Sequence, residues 1–188
     1  MNPFETTLDQ FISVYDVFDV NERKLILSEL DSVDWQNSTF YNLQKRESYS
    51  NNDEPKAYLG LIQSHEWIMS KFYDVIGKYI LEEHVTDYFC KWNGFSYPKY
   101  LRYHPGCTII PHCDHIHSLF DGNIKGVPFL SLVTLLNDDF VGGDFMIGDC
   151  KIELKAGQTI LFPSSFLYPH QVTTVLEGIR NSIAVWVY

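Results

Sequence analysis

Four residues carry the chemistry open to this chain: His112, Asp114, His170 and Arg180. Two neutral imidazoles and one carboxylate make a facial triad that holds a redox-active iron and leaves coordination positions open. An arginine adds a permanent cation with a forked donor set, matched to a carboxylate co-substrate. The set suggests an iron oxygenase. Ligand spacing sharpens the choice of residues. His112 and Asp114 are two apart, so on a strand they share a face and Cys113 points the other way. His115 and His117 have the same spacing, but His112 with Asp114 is the same-face pair that includes a carboxylate. His115 and His117 read as polar residues of a solvated loop. Zinc is the competing chemistry for such a cluster, with Cys113 as a ligand, and strand alternation argues against that ligand.

Arg180 follows His170 by one strand, a turn at Glu177-Gly178 and the start of another strand. An antiparallel pairing of those two strands would bring the arginine beneath the metal-binding end. Arg180, Ser182, Ala184 and Trp186 then share a face. A buried arginine needs an anionic partner, because an unpaired interior charge is costly. Its own strand offers no carboxylate. A dicarboxylate co-substrate would supply one, with Ser182 adding a hydroxyl. Tyr103, nine residues before His112, is a further candidate to hydrogen-bond that co-substrate, and a core tyrosine is the competing reading.

These residues require a β-rich scaffold. From residue 96 onward, short apolar runs alternate with Gly, Pro and Asp turns. Eight strands are expected, at about 97–104, 107–114, 129–136, 143–147, 150–154, 158–162, 170–176 and 180–187. That pattern fits a double-sheet jelly roll, and Gly142-Gly143 fits a tight turn with positive φ at its rim. Residues 1–95 are mixed. The segment 11–18 reads as a strand, Asp19 opens a helix running to about Leu30, and residues 65–83 form a helix with an apolar stripe at Trp67/Ile68, Phe72, Ile76 and Ile80. The polar stretch 42–57 reads as a flexible loop or lid. The connection 115–128 would cover a site, and Phe166 and Tyr168 could touch substrate. The expected fold is mainly β (α+β), a double-stranded β-helix of cupin-like type with N-terminal supporting helices. It would be a single domain over residues 1–188, with 1–95 as mixed support and 96–188 as the jelly-roll core. The sequence ends one residue past the last expected strand, so the barrel should be complete.

Composition excludes several classes. With 24 acidic and 14 basic residues the formal net charge is −10, which argues against nucleic-acid binding driven by the phosphate backbone. No secretory leader and no membrane-length apolar run is apparent. The expectation is a cytoplasmic protein without a membrane partner. Its four cysteines (Cys90, Cys107, Cys113 and Cys150) contain no Cys-x-x-Cys pair and read as reduced thiols.

Several stretches, in this order, resemble the iron(II)/2-oxoglutarate-dependent dioxygenases, within them the prolyl 4-hydroxylase-like branch. They are Tyr103-His-Pro-Gly106, His112-Cys-Asp114, Leu136-Asn137, Gly142-Gly143-Asp-Phe145, Lys155-Ala-Gly157 with Ile160-Leu-Phe-Pro163, and His170-Gln-Val172 through Gly178-Ile-Arg180 to Trp186. They cover about residues 97–188. The resemblance implies that His112, Asp114 and His170 bind Fe(II). It implies that Arg180, helped by Tyr103 and Ser182, binds the distal carboxylate of 2-oxoglutarate. O2 and 2-oxoglutarate would be consumed, with succinate and CO2 as co-products and ascorbate as an auxiliary reductant. Arg at 180, where collagen-type members commonly carry Lys, looks more like the bacterial and oxygen-sensing members. Leu135 stands where the family often has a tyrosine. The retained Asp114 implies hydroxylation rather than halogenation.

Four functions follow from these readings. The first is a dioxygenase hydroxylating a peptidyl proline or similar residue. The second is a small-molecule hydroxylase of the same chemistry, acting on a free amino acid or metabolite. The third is a non-catalytic jelly-roll binding module. The fourth is a cupin of another reaction type, which leaves Arg180 unexplained. Oligomeric state is not encoded in any motif of the chain.

Overall fold

The computed structural model describes residues 8–38, 40–42, 47–49, 53–81, 92–114 and 128–188. A 3₁₀ turn at Leu8–Phe11 leads into β1 (Ser13–Asp16) and α1 (Val20–Leu30). Then come β2 (Gln36–Asn37), β3 (Phe40–Asn42), β4 (Glu47–Tyr49), β5 (Lys56–Tyr58) and α2 (His65–Leu81). The C-terminal half supplies β6 (Lys99–Tyr103), β7 (Ile109–His112), β8 (Leu130–Leu135), β9 (Phe140–Gly142) and β10 (Phe145–Ile147). It continues with β11 (Cys150–Ile152), β12 (Gln158–Pro163), β13 (His170–Val172), β14 (Val175–Gly178) and β15 (Arg180–Val187).

Two sheets build the jelly roll. The larger has the order β1-β12-β8-β15-β6-β5-β2, and the smaller β11-β10-β13-β7. A β14–β9 ribbon and a β3–β4 hairpin complete the set. β1, β2 and β5 belong to the large sheet, so the N-terminal half adds strands as well as helices to the barrel wall. The stretch 42–57, expected as a flexible loop or lid, contains β4 and the first two residues of β5; of it, residues 43–46 and 50–52 lie outside the described residues.

Among the described residues, ten strands stand where eight were expected after residue 96. One reason is that 170–176 is two strands. β13 pairs with β10 and β7, whereas β14 pairs with β9. The other is β9 itself, too short at three residues to show an alternation. Gly142, its last residue, and Gly143 after it have φ of 76° and 62°, a backbone that L side chains adopt at a cost. A Cβ on Gly142 would strike the Thr174 carbonyl, and one on Gly143 would sit 3.0 Å from Arg180 Cδ.

The large sheet has apolar residues on both faces, and strand alternation sorts them into two cores. On one face Tyr100, Leu130, Leu132, Leu161, Ile183 and Val185 pack with Ile68, Phe72, Ile76 and Tyr79 of α2. On the other, Leu101, Tyr103, Ile160, Phe162 and Ala184 pack with Phe145, Ile147 and Val172 of the small sheet. The second core is the barrel interior. α2 forms because Ile68, Phe72, Val75, Ile76 and Tyr79 recur at three- and four-residue spacing and all are buried. α1 opens on a capping box. Asp19 Oδ1 accepts from the Asn21 and Glu22 amides at 2.8 and 2.9 Å, and Glu22 Oε2 accepts from the Asp19 amide at 2.8 Å.

Phe72 lies at the centre of the helix–sheet core. Phe72→Ala is expected to destabilise the protein by about 3–5 kcal/mol, read as a lower urea midpoint. Asp74→Ala, on the exposed side of α2, is expected to stay within about 0.5 kcal/mol of the parent. Equal midpoints for the two variants would contradict this packing.

Candidate metal and anion site

The metal-ligand candidates meet through strand register. β7 and β13 are antiparallel, and His112 and His170 are direct partners in the ladder. Their ring centroids are therefore 4.4 Å apart. Asp114 lies two residues past the end of β7. Its Oδ1 is 3.7 Å from His112 Nε2, and its Oδ2 is 3.4 Å from His170 Nε2. One ligand atom from each of the three lies within 4.8 Å of the others, and Cys113 is not in the group.

Both imidazoles are oriented by the backbone. Nδ1 of His112 faces the Ile110 carbonyl at 2.9 Å, and Nδ1 of His170 faces the Tyr168 carbonyl at 3.2 Å. A ring nitrogen facing a carbonyl carries the proton, which leaves the Nε2 lone pairs toward Asp114. Burial lowers the pKa of His170; Asp114 opposes that shift and His112 adds to it. A neutral ring is the form that accepts a metal. Phe162 meets the His170 ring edge-to-face at 4.9 Å, and Phe145 lies 5.8 Å from it, so the ring has little freedom to turn.

Arg180 is the largest fully buried side chain of the described residues, at 1% exposure. It forms no ion pair among the described residues. Nη1 donates to Ser182 Oγ at 3.0 Å, the guanidinium lies 4.9 Å over the Tyr103 ring, and Nε has no hydrogen-bond partner. Burial lowers its pKa, with Tyr103 pulling the other way. Burial likewise raises the Tyr103 phenol, against Arg180 and Ser182. Arg180 and Tyr103 are direct partners across the β15–β6 ladder, which explains the contact. A cavity of about 350 Å³ opens onto Arg180, with Leu135, Gly143 and Phe145 in its wall. Phe145 thus lines this cavity and also lies 5.8 Å from the His170 ring.

The structure brings His112, Asp114 and His170 together, and separately gathers Arg180, Ser182 and Tyr103. The expected pairing of the His170 and Arg180 strands is corrected. β13 belongs to the small sheet and β15 to the large one, so the two residues stand on different sheets. The chain changes sheet through β14, which pairs with β9 instead. Tyr168 is buried, and its carbonyl orients His170; Phe166 is 82% exposed. His115, His117 and the connection up to residue 127 lie outside the described residues.

Three contributors were not singled out from sequence. Asn137 accepts from the Asn181 amide at 2.7 Å and donates to the Ile179 carbonyl at 2.6 Å, fixing the backbone on both sides of Arg180. Lys99 shares the β6 face of Tyr103. Its pKa is lowered by burial, against the pull of Asp114 and Glu54. Ser131 donates to Asp114 Oδ2 at 2.6 Å. The Leu136-Asn137 motif was a signal for the first. A polar residue inside the apolar run of β8 was one for the third.

Fold and site together resemble those of 2OG-Fe(II) oxygenases of the prolyl-hydroxylase-like kind. Residues 98–188 match the family model described as the 2OG-Fe(II) oxygenase superfamily. A PKHD-type hydroxylase of Shewanella baltica (strain OS155 / ATCC BAA-1091) is 37% identical over 97 residues, covering 49% of this chain and 42% of the relative. The chain thus spans less than half of that relative's length. A PKHD-type hydroxylase of Shewanella sp. (strain MR-4) is 28% identical over 185 residues, covering 93% of this chain and 76% of the relative. Among solved structures, a Trichoplax adhaerens prolyl hydroxylase in complex with a hypoxia inducible factor oxygen degradation domain peptide fragment superposes with a TM-score of 0.67 at 17% identity. The match covers 95% of this chain and 83% of that one. The family implies Fe(II), 2-oxoglutarate and O2. The donor set fits the metal, and the buried guanidinium with its unsatisfied Nε fits a carboxylate.

Replacing a buried charge by an apolar side chain of similar size is often neutral or stabilising. Arg180→Met is therefore expected to leave the thermal midpoint of the metal-free protein equal or higher. The same change is expected to cost about 2–5 kcal/mol of 2-oxoglutarate binding in the Mn(II)-loaded protein, by calorimetry. Unchanged 2-oxoglutarate affinity would remove Arg180 from the anion site.

Proposed function

We propose that this chain is an Fe(II)- and 2-oxoglutarate-dependent dioxygenase, working as a single domain, that hydroxylates a peptidyl proline or a similar residue and releases succinate and CO2. The observation that carries the proposal is Arg180, a buried cation without an anionic partner among the described residues, in the same barrel as a His-Asp-His cluster. In this reading His112 and His170 bind the metal through Nε2 and Asp114 through a carboxylate oxygen. Arg180 takes the distal carboxylate of 2-oxoglutarate, with Ser182 and Tyr103 as hydrogen-bonding neighbours. Phe145 and Phe162 keep water from the His170 side. Iron(II), once bound, supplies the redox chemistry that couples O2 and 2-oxoglutarate to substrate oxidation. The peptide held by the Trichoplax adhaerens relative in fold supports a peptide substrate.

Purified protein with Fe(II) and 2-oxoglutarate is expected to form succinate slowly without a prime substrate, and His112→Ala to abolish it. Anaerobic addition of 2-oxoglutarate to the Fe(II) protein is expected to give a metal-to-ligand absorption band. Absence of that band would show that 2-oxoglutarate does not bind the metal. A panel of proline-containing peptides, searched by mass spectrometry for products carrying one added oxygen, tests the substrate.

Lys99 favours a second reading, a free amino acid or other carboxylate-bearing metabolite as substrate. A lysine on the Tyr103 face offers a charge to such a group within the barrel. Under this reading free L-proline stimulates succinate formation more than a terminally blocked proline peptide, and Lys99→Met erases the preference. Equal stimulation of the parent protein by both compounds would reject it.

A further inference from the structure

Asp114 is held by a chain of two hydroxyls. Ser131 Oγ donates to Asp114 Oδ2 at 2.6 Å, and Ser131 Oγ and Ser164 Oγ are 2.8 Å apart. The direction of the second bond follows from proton count. A metal-binding carboxylate only accepts, and a serine hydroxyl has one proton to give. Ser131 gives its proton to Asp114, so Ser164 must donate to Ser131. Both serines are buried. The three residues sit on three elements. Asp114 follows β7, Ser131 is on β8, and Ser164 opens the Ser164–Pro169 segment that delivers His170. The Ser164 amide is also tied down, donating to the Phe129 carbonyl at 2.9 Å.

We propose that the Ser164–Ser131 relay positions the metal-binding carboxylate. It fixes the rotamer of Asp114 and links that rotamer to the segment carrying His170, so two of the three ligands are set by one hydrogen-bond chain. The inference rests on the reading of His112, Asp114 and His170 as metal ligands. It assigns to Ser131 and Ser164 a role in metal affinity distinct from ordinary core stability. The same region contains an internal comparison. Thr134 and Thr159 form a buried hydroxyl pair, 2.7 Å apart, between β8 and β12. Thr134 is on the helix-facing side of β8, opposite Ser131. Losing that pair should cost fold stability and leave the metal untouched.

The test is Co(II) and Mn(II) binding to metal-free protein, followed by the ligand-field absorption of Co(II) and the free Mn(II) resonance, with no turnover involved. Ser131→Ala is expected to weaken both metals about 10–100-fold and to shift the Co(II) bands. Ser131→Thr, which keeps a hydroxyl, should recover most of the affinity. Ser164→Ala should give a smaller loss, and adding it to Ser131→Ala should cost nothing further, because it acts only through Ser131. Thr134→Val should lower the thermal midpoint without changing metal affinity. Parent-like affinity in Ser131→Ala, or additive losses in the double variant, would overturn the relay while leaving the metal site intact. If Ser131→Ala does not fold, Ser164→Ala and Ser131→Thr decide: parent-like affinity in the first, or a loss in the second as large as about 10-fold, would overturn it. Failure of the parent protein to bind either metal would overturn both the relay and the metal-site reading.

Discussion

Arg180 carries a charge that is almost wholly buried and that no carboxylate among the described residues offsets. Desolvating a guanidinium is expensive, and the surrounding barrel is arranged around that expense. Ser182, two residues along the same strand, accepts a hydrogen bond from its Nη1. Tyr103 offers the face of its ring from the neighbouring strand. Asn137 clamps the backbone immediately before and after it. Gly143 has no side chain where a Cβ would crowd Arg180 Cδ. Four separate segments thus converge to hold one cation with its Nε left open. An anion entering the barrel would complete the set.

The metal side of the site rests on a different kind of constraint. Ladder register makes His112 and His170 neighbours, and once two strands are aligned this leaves little to adjust. What remains is rotation of the side chains. Backbone carbonyls at Ile110 and Tyr168 fix the rings, and Ser131 fixes the carboxylate. The division of labour is economical in structural terms. β-pairing brings the ligands to within a few ångström, and short-range hydrogen bonds set the donor atoms. The large sheet provides the rigid reference, because its other face is packed on α2 through Tyr100, Ile183, Leu132 and Phe72. A sheet supported on both sides has little room to flex, which suits a site that needs fixed donors.

Much of this was legible in residue types and spacing. His-x-Asp spacing singled out His112 and Asp114, which lie together with His170, and the alternation along β15 put Arg180 and Ser182 on one face. The stripe at Ile68, Phe72 and Ile76 located α2, and Asp19 located the start of α1. Less legible were the short strands. β9 and β5 are three residues each, below the length at which a period of two can be recognised. The 170–176 run looked continuous because its residues are uniformly strand-forming, yet its halves pair with different partners. That choice depends on residues far away in the chain.

The sequence by itself determined which side chains share a face, since that follows from the two-residue period of a strand and needs no partner. It also determined the donor types, two imidazoles and a carboxylate plus a guanidinium, and through them the class of chemistry. Only the tertiary structure decided which faces meet. It put His170 on one sheet and Arg180 on the other, where a direct strand pairing had been the simpler expectation. It buried Arg180 and set Ser131 and Ser164 behind Asp114. The physical reason is that register and sheet membership are long-range properties. They are settled by packing between segments up to the length of the chain apart, and no local pattern encodes them.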